Sequence, residues 1–178
     1  MASITSMAMQ KPKERILGDN ELIVSKTDVK GVVTYANRAF MNISGYSESE
    51  ILGKQHNFIR HPEMPRACFE LLWDTLKRDE EFFAYVINRC KNGDYYWVLA
   101  NITPDKSVDG KLIGYYSVRR RAPRNGIQKI QLLYQQMLKI EAQHRKSKQQ
   151  IQRSTEYLMQ QLETVGLSYQ DFILTLDS

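Results

Sequence analysis

The chain has 178 residues, which is enough for one domain of ordinary size with an appendage but not for two independent cores. Its 42% hydrophobic and 25% charged residues are typical of a soluble globular protein, and no segment approaches the roughly 18 uninterrupted apolar residues of a membrane span. The net charge of +5 is spread along the chain, and residues 1–10 lack the basic start and apolar run of a secretory signal. We therefore expect a cytoplasmic protein with no membrane span and no nucleic-acid ligand.

The first predicted elements are two short strands. Residues 22–25 and 32–36 are β-branched or aromatic runs, and Gly31 between them can adopt a positive φ. This pattern predicts a β-hairpin.

Two short helices follow the hairpin. Asn37 is a good N-cap for a helix that Gly45 ends. Ser47 and Glu50 have the spacing of a capping box, which predicts a second helical turn that Gly53 closes.

A longer helix and three strands come next. From Met64 the apolar residues have the spacing of a helix with one buried face, at Cys68, Leu71, Leu72 and Leu76. Residues 82–90, 95–103 and 112–120 read as strands, separated by Asn-Gly and Asp-Gly turn signals. The element order predicts an α+β fold: a five-stranded antiparallel sheet with short helices on one face.

The pattern changes after residue 126. Apolar residues then recur in alternating steps of three and four, at Ile127, Ile130, Tyr134, Met137, Ile151, Leu158, Leu162 and Val165. This spacing predicts a long amphipathic helix that pairs along a coiled-coil seam. The middle of the seam is poor, because Glu141, His144, Lys148 and Thr155 occupy it, so a helix folded back on its own sheet is the alternative. Gly166 ends the helix, and Ser168 with Asp171 predicts a short last one.

Several functional classes lack support in the sequence. The basic clusters 119–121 and 144–146 are interpreted as solvated surfaces. Cys68, Cys90 and the three histidines do not have metal-ligand spacing, and there is no nucleophile elbow, phosphate-binding glycine loop or zincin helix. We expect reduced thiols, no metal site and no enzymatic activity.

Four phrases in one order resemble the PAS superfamily: YANRAF, GYSESEILG, NRCKNGDYYWV and GYYSVRR. The resemblance covers about residues 17–121. It implies a PAS fold and three segments: 1–16, a flexible lead or cap helix; 17–122, the PAS sensor domain; and 123–178, a helical coiled-coil output segment.

The phrase HNFIRHPEMP, residues 56–65, is similar to the PAS domain of bacterial aerotaxis transducers, which hold FAD and sense redox state or oxygen. The resemblance implies cofactor-binding roles for Arg60, His61 and Glu63, and weaker roles around the pocket for Asn88, Asn37 and Trp97. Glu63 replaces an Asp usual in the family, and Phe82 replaces a common Trp, so the pocket differs in shape. An ion pair with Glu63 is the alternative role for Arg60, and core packing is the alternative for Trp97.

The function implied is a soluble module that holds a flavin non-covalently and relays its redox state through the C-terminal helix. A homodimer and a chemoreceptor or histidine-kinase-type partner are the implied partners. The alternatives are a PAS domain that binds haem, with His61 as an axial ligand, or another small ligand, and a ligand-free dimerisation adaptor. A light-oxygen-voltage photoreceptor is disfavoured, because residues 53–60 contain no cysteine.

Overall fold

A five-stranded antiparallel sheet forms the centre of the protein. The computed structural model describes residues 11–177, and the strands lie in the order β2-β1-β5-β4-β3. The strands are β1 (Ile23–Asp28), β2 (Val33–Ala36), β3 (Phe82–Arg89), β4 (Tyr95–Lys106) and β5 (Leu112–Arg121). The predicted α+β fold with one antiparallel sheet is confirmed.

Helices lie before the third strand and after the fifth. They are α1 (Arg38–Ser44), α2 (Glu48–Ile51), α3 (Arg66–Lys77), α4 (Arg124–Ala142), α5 (Ser147–Val165) and α6 (Tyr169–Thr175), with a 3-10 turn at His56–Ile59. Over residues 11–177, no helix combines the length and apolar character needed to cross a bilayer.

The local signals around the first hairpin and helices act as predicted. Gly31 has a φ of 79° in the turn between β1 and β2. The Asn37 side chain accepts a hydrogen bond from Phe40 N at the start of α1, and Gly45 ends that helix in the left-handed conformation. The capping box of Ser47 and Glu50 is formed at α2. These short-range contacts fix the turn of the hairpin and the ends of the two short helices.

The inner face of the sheet carries the first hydrophobic core. Alternate side chains of a strand point to opposite faces, and Tyr96 and Val98 of β4 point towards α1 and α2. They pack with a buried set comprising Ile23, Val33, Phe40, Ile43, Ile51 and Ile59. The short helices thus lie on one face, as predicted.

The outer face carries a second core, formed with the C-terminal helices. Trp97 and Leu99 of β4, with Tyr85 and Ile87 of β3, pack against Ile127, Ile130, Tyr134 and Met137 of α4. Helix α5 packs against both α4 and α3, and α6 packs against β3.

The tail is helical and amphipathic, but the prediction of one continuous helix is wrong. The chain turns at residues 143–146 and forms two antiparallel helices, α4 and α5, which fold back on the domain. The alternative of a tail that covers its own sheet describes this arrangement. The poor middle of the seam coincides with the turn: Glu141 lies in the last turn of α4, and His144 lies in the loop. Gly166 ends α5 and Ser168 caps α6, as predicted.

The N-terminal arm, residues 11–16, is extended and lies beside β4. Arg15 N donates to Tyr95 O at 2.7 Å, and Tyr95 N donates to Lys13 O at 3.1 Å. Glu14 forms an ion pair with Arg124 at the start of α4, at 2.8 Å. A flexible or helical lead is therefore wrong for 11–16, and residues 1–10 lie outside the described range.

Gly126 allows α4 to approach the sheet. A Cβ at this position would lie 2.0 Å from Tyr85 Oη. We expect Gly126→Ala to lower the free energy of unfolding by about 1–3 kcal/mol, because the clash outweighs the gain of about 1 kcal/mol in helix propensity. Urea unfolding of both proteins measures the difference, with Gln128→Ala, an exposed change in the same helix, as the control. An unchanged or higher stability would contradict the close contact between α4 and β3.

Candidate functional site

A cavity of about 480 Å³ lies between the inner face of the sheet, the 3-10 turn and α3. This volume falls within the range of small-molecule sites. Its lining residues on the sheet are Ser25, Thr27, Val86, Asn88, Ala100, Ile102, Tyr115, Ser117 and Arg119. The helical side contributes His56, Asn57, Ile59, Arg60, Phe69, Leu72, Trp73 and Leu76, and the loops contribute Lys30, Gly31 and Gln55.

The cavity exists because small side chains occupy the centre of the inner face. Ser25, Ala100 and Ser117 lie on three adjacent strands and line the cavity. Larger residues on β4 fill the core beside it, among them Tyr96 and Val98. On the opposite side, α3 contributes the aromatic and aliphatic side chains of Phe69, Leu72, Trp73 and Leu76, so this part of the cavity suits a flat, largely apolar ligand.

Arg119 is a buried cation in the cavity wall with unpaired donors. Only 2% of the residue is exposed, and its guanidinium lies 4.6 Å from the ring centroid of Phe40. Nη2 donates to Ser25 Oγ, but Nε and Nη1 have no hydrogen-bond partner within residues 11–177. Burial lowers the pKa of Arg119 to about 10, so it remains charged at neutral pH. Buried donors without acceptors are costly, so this wall suits a ligand that supplies acceptors or negative charge.

His56 stands beside Arg119 as a neutral ring. Its Nε2 lies 3.1 Å from Ser25 Oγ, and its ring stacks on Phe40 at a centroid distance of 6.0 Å. Burial, followed by the charge of Arg119, lowers the pKa of His56 to about 3. Ser25 Oγ thus connects the two side chains, because it accepts from Arg119 Nη2 and shares a hydrogen bond with His56 Nε2.

Two of the residues selected from the sequence, Arg60 and Asn88, line the cavity. Asn88 is 5% exposed, and its Nδ2 has no partner in the described part of the chain. The Arg60 guanidinium stacks on Phe69 at 4.2 Å and donates to Met64 O at 3.0 Å. The backbones of Arg60 and Asn88 form an isolated antiparallel bridge, which brings the 3-10 turn against β3. Burial, more than the charge of Arg66, lowers the pKa of Arg60.

Three of the other selected residues have contacts away from the cavity. His61 Nδ1 accepts from Glu63 N at 3.2 Å, while its ring faces Tyr95. Glu63 is exposed, and it forms no ion pair with Arg60 among those within residues 11–177. The alternative prediction of an Arg60–Glu63 ion pair is therefore wrong. Asn37 caps α1 and ties it to β1 through Val24 N.

Trp97 lies on the opposite face of the sheet. Its ring stacks on Tyr134 of α4 at 6.5 Å, within the outer core. The expectation that it faces the ligand is corrected by the strand alternation, which points Tyr96 inwards and Trp97 outwards. Core packing, the alternative, is what the structure shows.

Sequence reasoning missed Arg119 and His56. The run 119–121 was interpreted as a solvated surface, which is wrong for Arg119 and correct for the exposed Arg120. The alternation of side chains along β5 could have identified Arg119, because Tyr115, Ser117 and Arg119 share the face that lines the cavity.

The cysteines lie outside this site. Both are buried free thiols, and neither lines the cavity. Burial raises the pKa of Cys68 to about 12, which suppresses the reactive thiolate. Within the described residues, no group of histidine, cysteine and acidic side chains has the arrangement of a metal site.

Residues 33–119 match the family model described as the PAS fold. The chain carries a PAS domain. A further match is the aerotaxis receptor of Escherichia coli (strain K12), with 44% identity over 66% of this chain and 23% of the receptor. A nitrogen fixation regulatory protein of Klebsiella pneumoniae is 31% identical over 54% of this chain and 20% of that protein. The chain thus spans less than a quarter of these relatives.

Solved PAS-type structures share the fold. A light-oxygen-voltage domain studied with a flavin analogue superposes with a TM-score of 0.55 at 22% identity, covering 65% of this chain and 86% of that one. The light-state structure of the aureochrome1 light-oxygen-voltage domain also has a TM-score of 0.55, at 18% identity, covering 66% and 92%. At these identities the likeness concerns the fold alone.

The depressed pKa of His56 predicts an acid sensitivity of the PAS domain. The folded state resists protonation down to about pH 3, whereas an unfolded histidine titrates near 6.5. The stability contributed by neutral His56 is therefore complete above pH 6.5 and is lost as the pH falls towards 3. We expect the unfolding free energy to fall by about 1–2 kcal/mol more between pH 7.5 and 5 in the wild type than in His56→Gln.

Urea unfolding at the two pH values measures this difference. His144→Gln, a change in the turn between α4 and α5, serves as the control and should keep the wild-type pH dependence. An identical pH dependence in wild type and His56→Gln would contradict a neutral, buried His56.

Proposed function

We propose that this PAS domain binds a flavin non-covalently in the cavity and acts as a sensor of redox state or oxygen, not as an enzyme. The observation that carries the proposal is a cavity of about 480 Å³ whose lining includes the buried residues Arg119 and Asn88, with donors on both that have no partner within residues 11–177. A tricyclic ring with polar atoms along one edge matches the apolar walls of this cavity with its faces and offers hydrogen-bond acceptors to Arg119 and Asn88.

The side chains divide the binding tasks by their chemistry. Phe69, Leu72 and Trp73 offer apolar surface for the ring. Asn88 and Arg119 offer N–H donors to ring carbonyls or nitrogens, and Arg60 offers a planar fork suited to a carbonyl or a phosphate. His61, Glu63, Asn37 and Trp97 lie outside the cavity lining.

The charge of Arg119 makes the site sensitive to the charge of a bound ligand, and therefore to its reduction. A bound flavin gains electrons reversibly, with a change in charge and protonation. Arg119 keeps a positive charge in a buried site, where it stabilises a more negative ligand. His56, held neutral, adds no second charge. We therefore infer that the contacts of Arg119 with Ser25 and Phe40 differ between ligand states.

The relay to the tail follows the chain. Arg119 lies near the end of β5, and α4 begins at Arg124 after Pro123. A change of a few kcal/mol between two packings is enough to shift a population of conformers. We infer a homodimer in the cytoplasm with a chemoreceptor or histidine-kinase-type partner; the similarity to an aerotaxis receptor and to a blue-light-activated histidine kinase supports this choice.

FAD is the flavin we propose, following the resemblance of residues 56–65 to aerotaxis transducers. Haem is less well supported, because His61 does not line the cavity and His56 Nε2 is already bonded to Ser25. A ligand-free adaptor calls for a filled interior, which a cavity of about 480 Å³ argues against. Absorption spectra after incubation with FAD, FMN or haem distinguish these outcomes. A protein that stays colourless with every flavin would refute the redox sensor.

Replacing Arg119 should separate ligand binding from folding. In Arg119→Met we expect flavin affinity to fall by at least about tenfold, since hydrogen bonds to charged groups contribute about 1.5–3 kcal/mol. The ligand-free protein should keep or gain stability, because an unpaired buried charge is removed. Quenching of flavin fluorescence measures the affinity, and urea unfolding measures the stability.

Arg120→Met is the matched control. It removes the neighbouring exposed arginine from the other face of β5, and it should leave both quantities unchanged. Equal flavin affinity in the two variants would show that Arg119 does not contact the ligand.

A further inference from the structure

Glu141, in the last turn of α4, is a carboxylate buried between helices. The residue is 6% exposed. Its Oε2 accepts from Arg66 N at 3.1 Å, and its Oε1 accepts from Ala67 N at 3.2 Å. Both donors belong to the first turn of α3, so a side chain from the tail caps a helix of the sensor domain.

Helix α3 has no N-terminal cap from its own side chains, and Glu141 supplies one. The helix begins after Pro65, and no side chain at that position accepts its first N–H groups. Those groups have no partner within a helix, and a negative charge at a helix N-terminus is favourable. Capping of these N–H groups explains why an acidic residue, Glu141, interrupts the apolar stripe of α4.

The same turn of α3 also contacts the start of α5. Arg66 Nη1 donates to Ser147 Oγ at 3.0 Å, and Ser147 is the first residue of α5. Residues 143–146, between the two helices, contain neither glycine nor proline. The turn therefore contains neither of the strongest helix-breaking residues, and the first turn of α3 contacts both of the helices that flank it.

The remainder of α3 forms one wall of the cavity. Phe69, Leu72 and Trp73 face the cavity. Arg60 stacks on Phe69 at 4.2 Å and donates to Met64 O, two residues before the helix. One short helix therefore contacts the ligand site along its length and the tail at its first turn.

We propose that Glu141 is a positioning residue that couples occupancy of the cavity to docking of the α4–α5 hairpin. A ligand that orders Phe69 and Arg60 also orders the first turn of α3. Because Glu141 and Ser147 are hydrogen-bonded to that turn, the α4–α5 hairpin then docks more tightly. The proposal rests on the proposed function for the choice of FAD as the ligand. Coupling of this kind is reciprocal, so release of the hairpin weakens ligand binding by the same factor.

Amide hydrogen exchange of the whole chain, with and without saturating FAD, tests the coupling. In the wild type we expect FAD to slow exchange in α4 and α5 by about fivefold or more, in addition to slowing it around the cavity. In Glu141→Gln the protection of the tail should disappear while that of the cavity remains, and FAD affinity should fall by the same factor. A merely structural role would speed exchange equally with and without FAD.

Matched variants keep the test decisive. Glu70→Gln makes the same change at an exposed position of α3 and should behave as wild type. Ser147→Ala, which removes only the Arg66 contact with α5, should reduce the protection partially, and it decides the question if Glu141→Gln does not fold.

The possible failures are distinguishable. If FAD protects the wild-type cavity but not the tail, the coupling is refuted and the flavin site stands. If FAD protects neither, the proposed function is wrong. The coupling rests on that function and is then refuted with it.

Discussion

A permanent positive charge inside the sheet is the constraint on which the site depends. Arg119 reaches the inner face of β5, where Ser25 takes one of its hydrogen bonds and Phe40 covers one side of its guanidinium. No acidic side chain pairs with it among the ion pairs of residues 11–177. Burial, followed by this charge, keeps His56 neutral, and Nε and Nη1 of Arg119 have no hydrogen-bond partner within residues 11–177. Such an arrangement is unfavourable when empty and favourable when an acceptor is present.

The two faces of one sheet serve different purposes. The inner face surrounds the cavity and is closed by short helices, whereas the outer face of β3 and β4 is covered by the tail. Val86 and Asn88 face the cavity, while Tyr85 and Ile87, which alternate with them along β3, face the tail. A shift of β3 in response to a ligand therefore reaches the tail core directly, without an intervening layer.

Two polar residues that interrupt the apolar pattern of the tail, Glu141 and His144, have defined positions in the α4–α5 hairpin. Within a coiled-coil seam, Glu141 and His144 are defects that weaken the pairing. In the hairpin, Glu141 caps α3 and His144 lies in the turn. The same residues that argue against a long seam thus define where the tail bends and what it contacts.

Features that depend on near neighbours in the chain could be read from the sequence. These include the strands and their turns, the caps at Asn37 and Ser47, and the amphipathic character of the tail, because each rests on contacts within a few residues. The roles of Arg119, Trp97 and Glu141 could not, since each depends on which strand face or helix end lies opposite. Alternation divides a strand into two faces, but only the packed fold decides which of them encloses a cavity and which receives the tail.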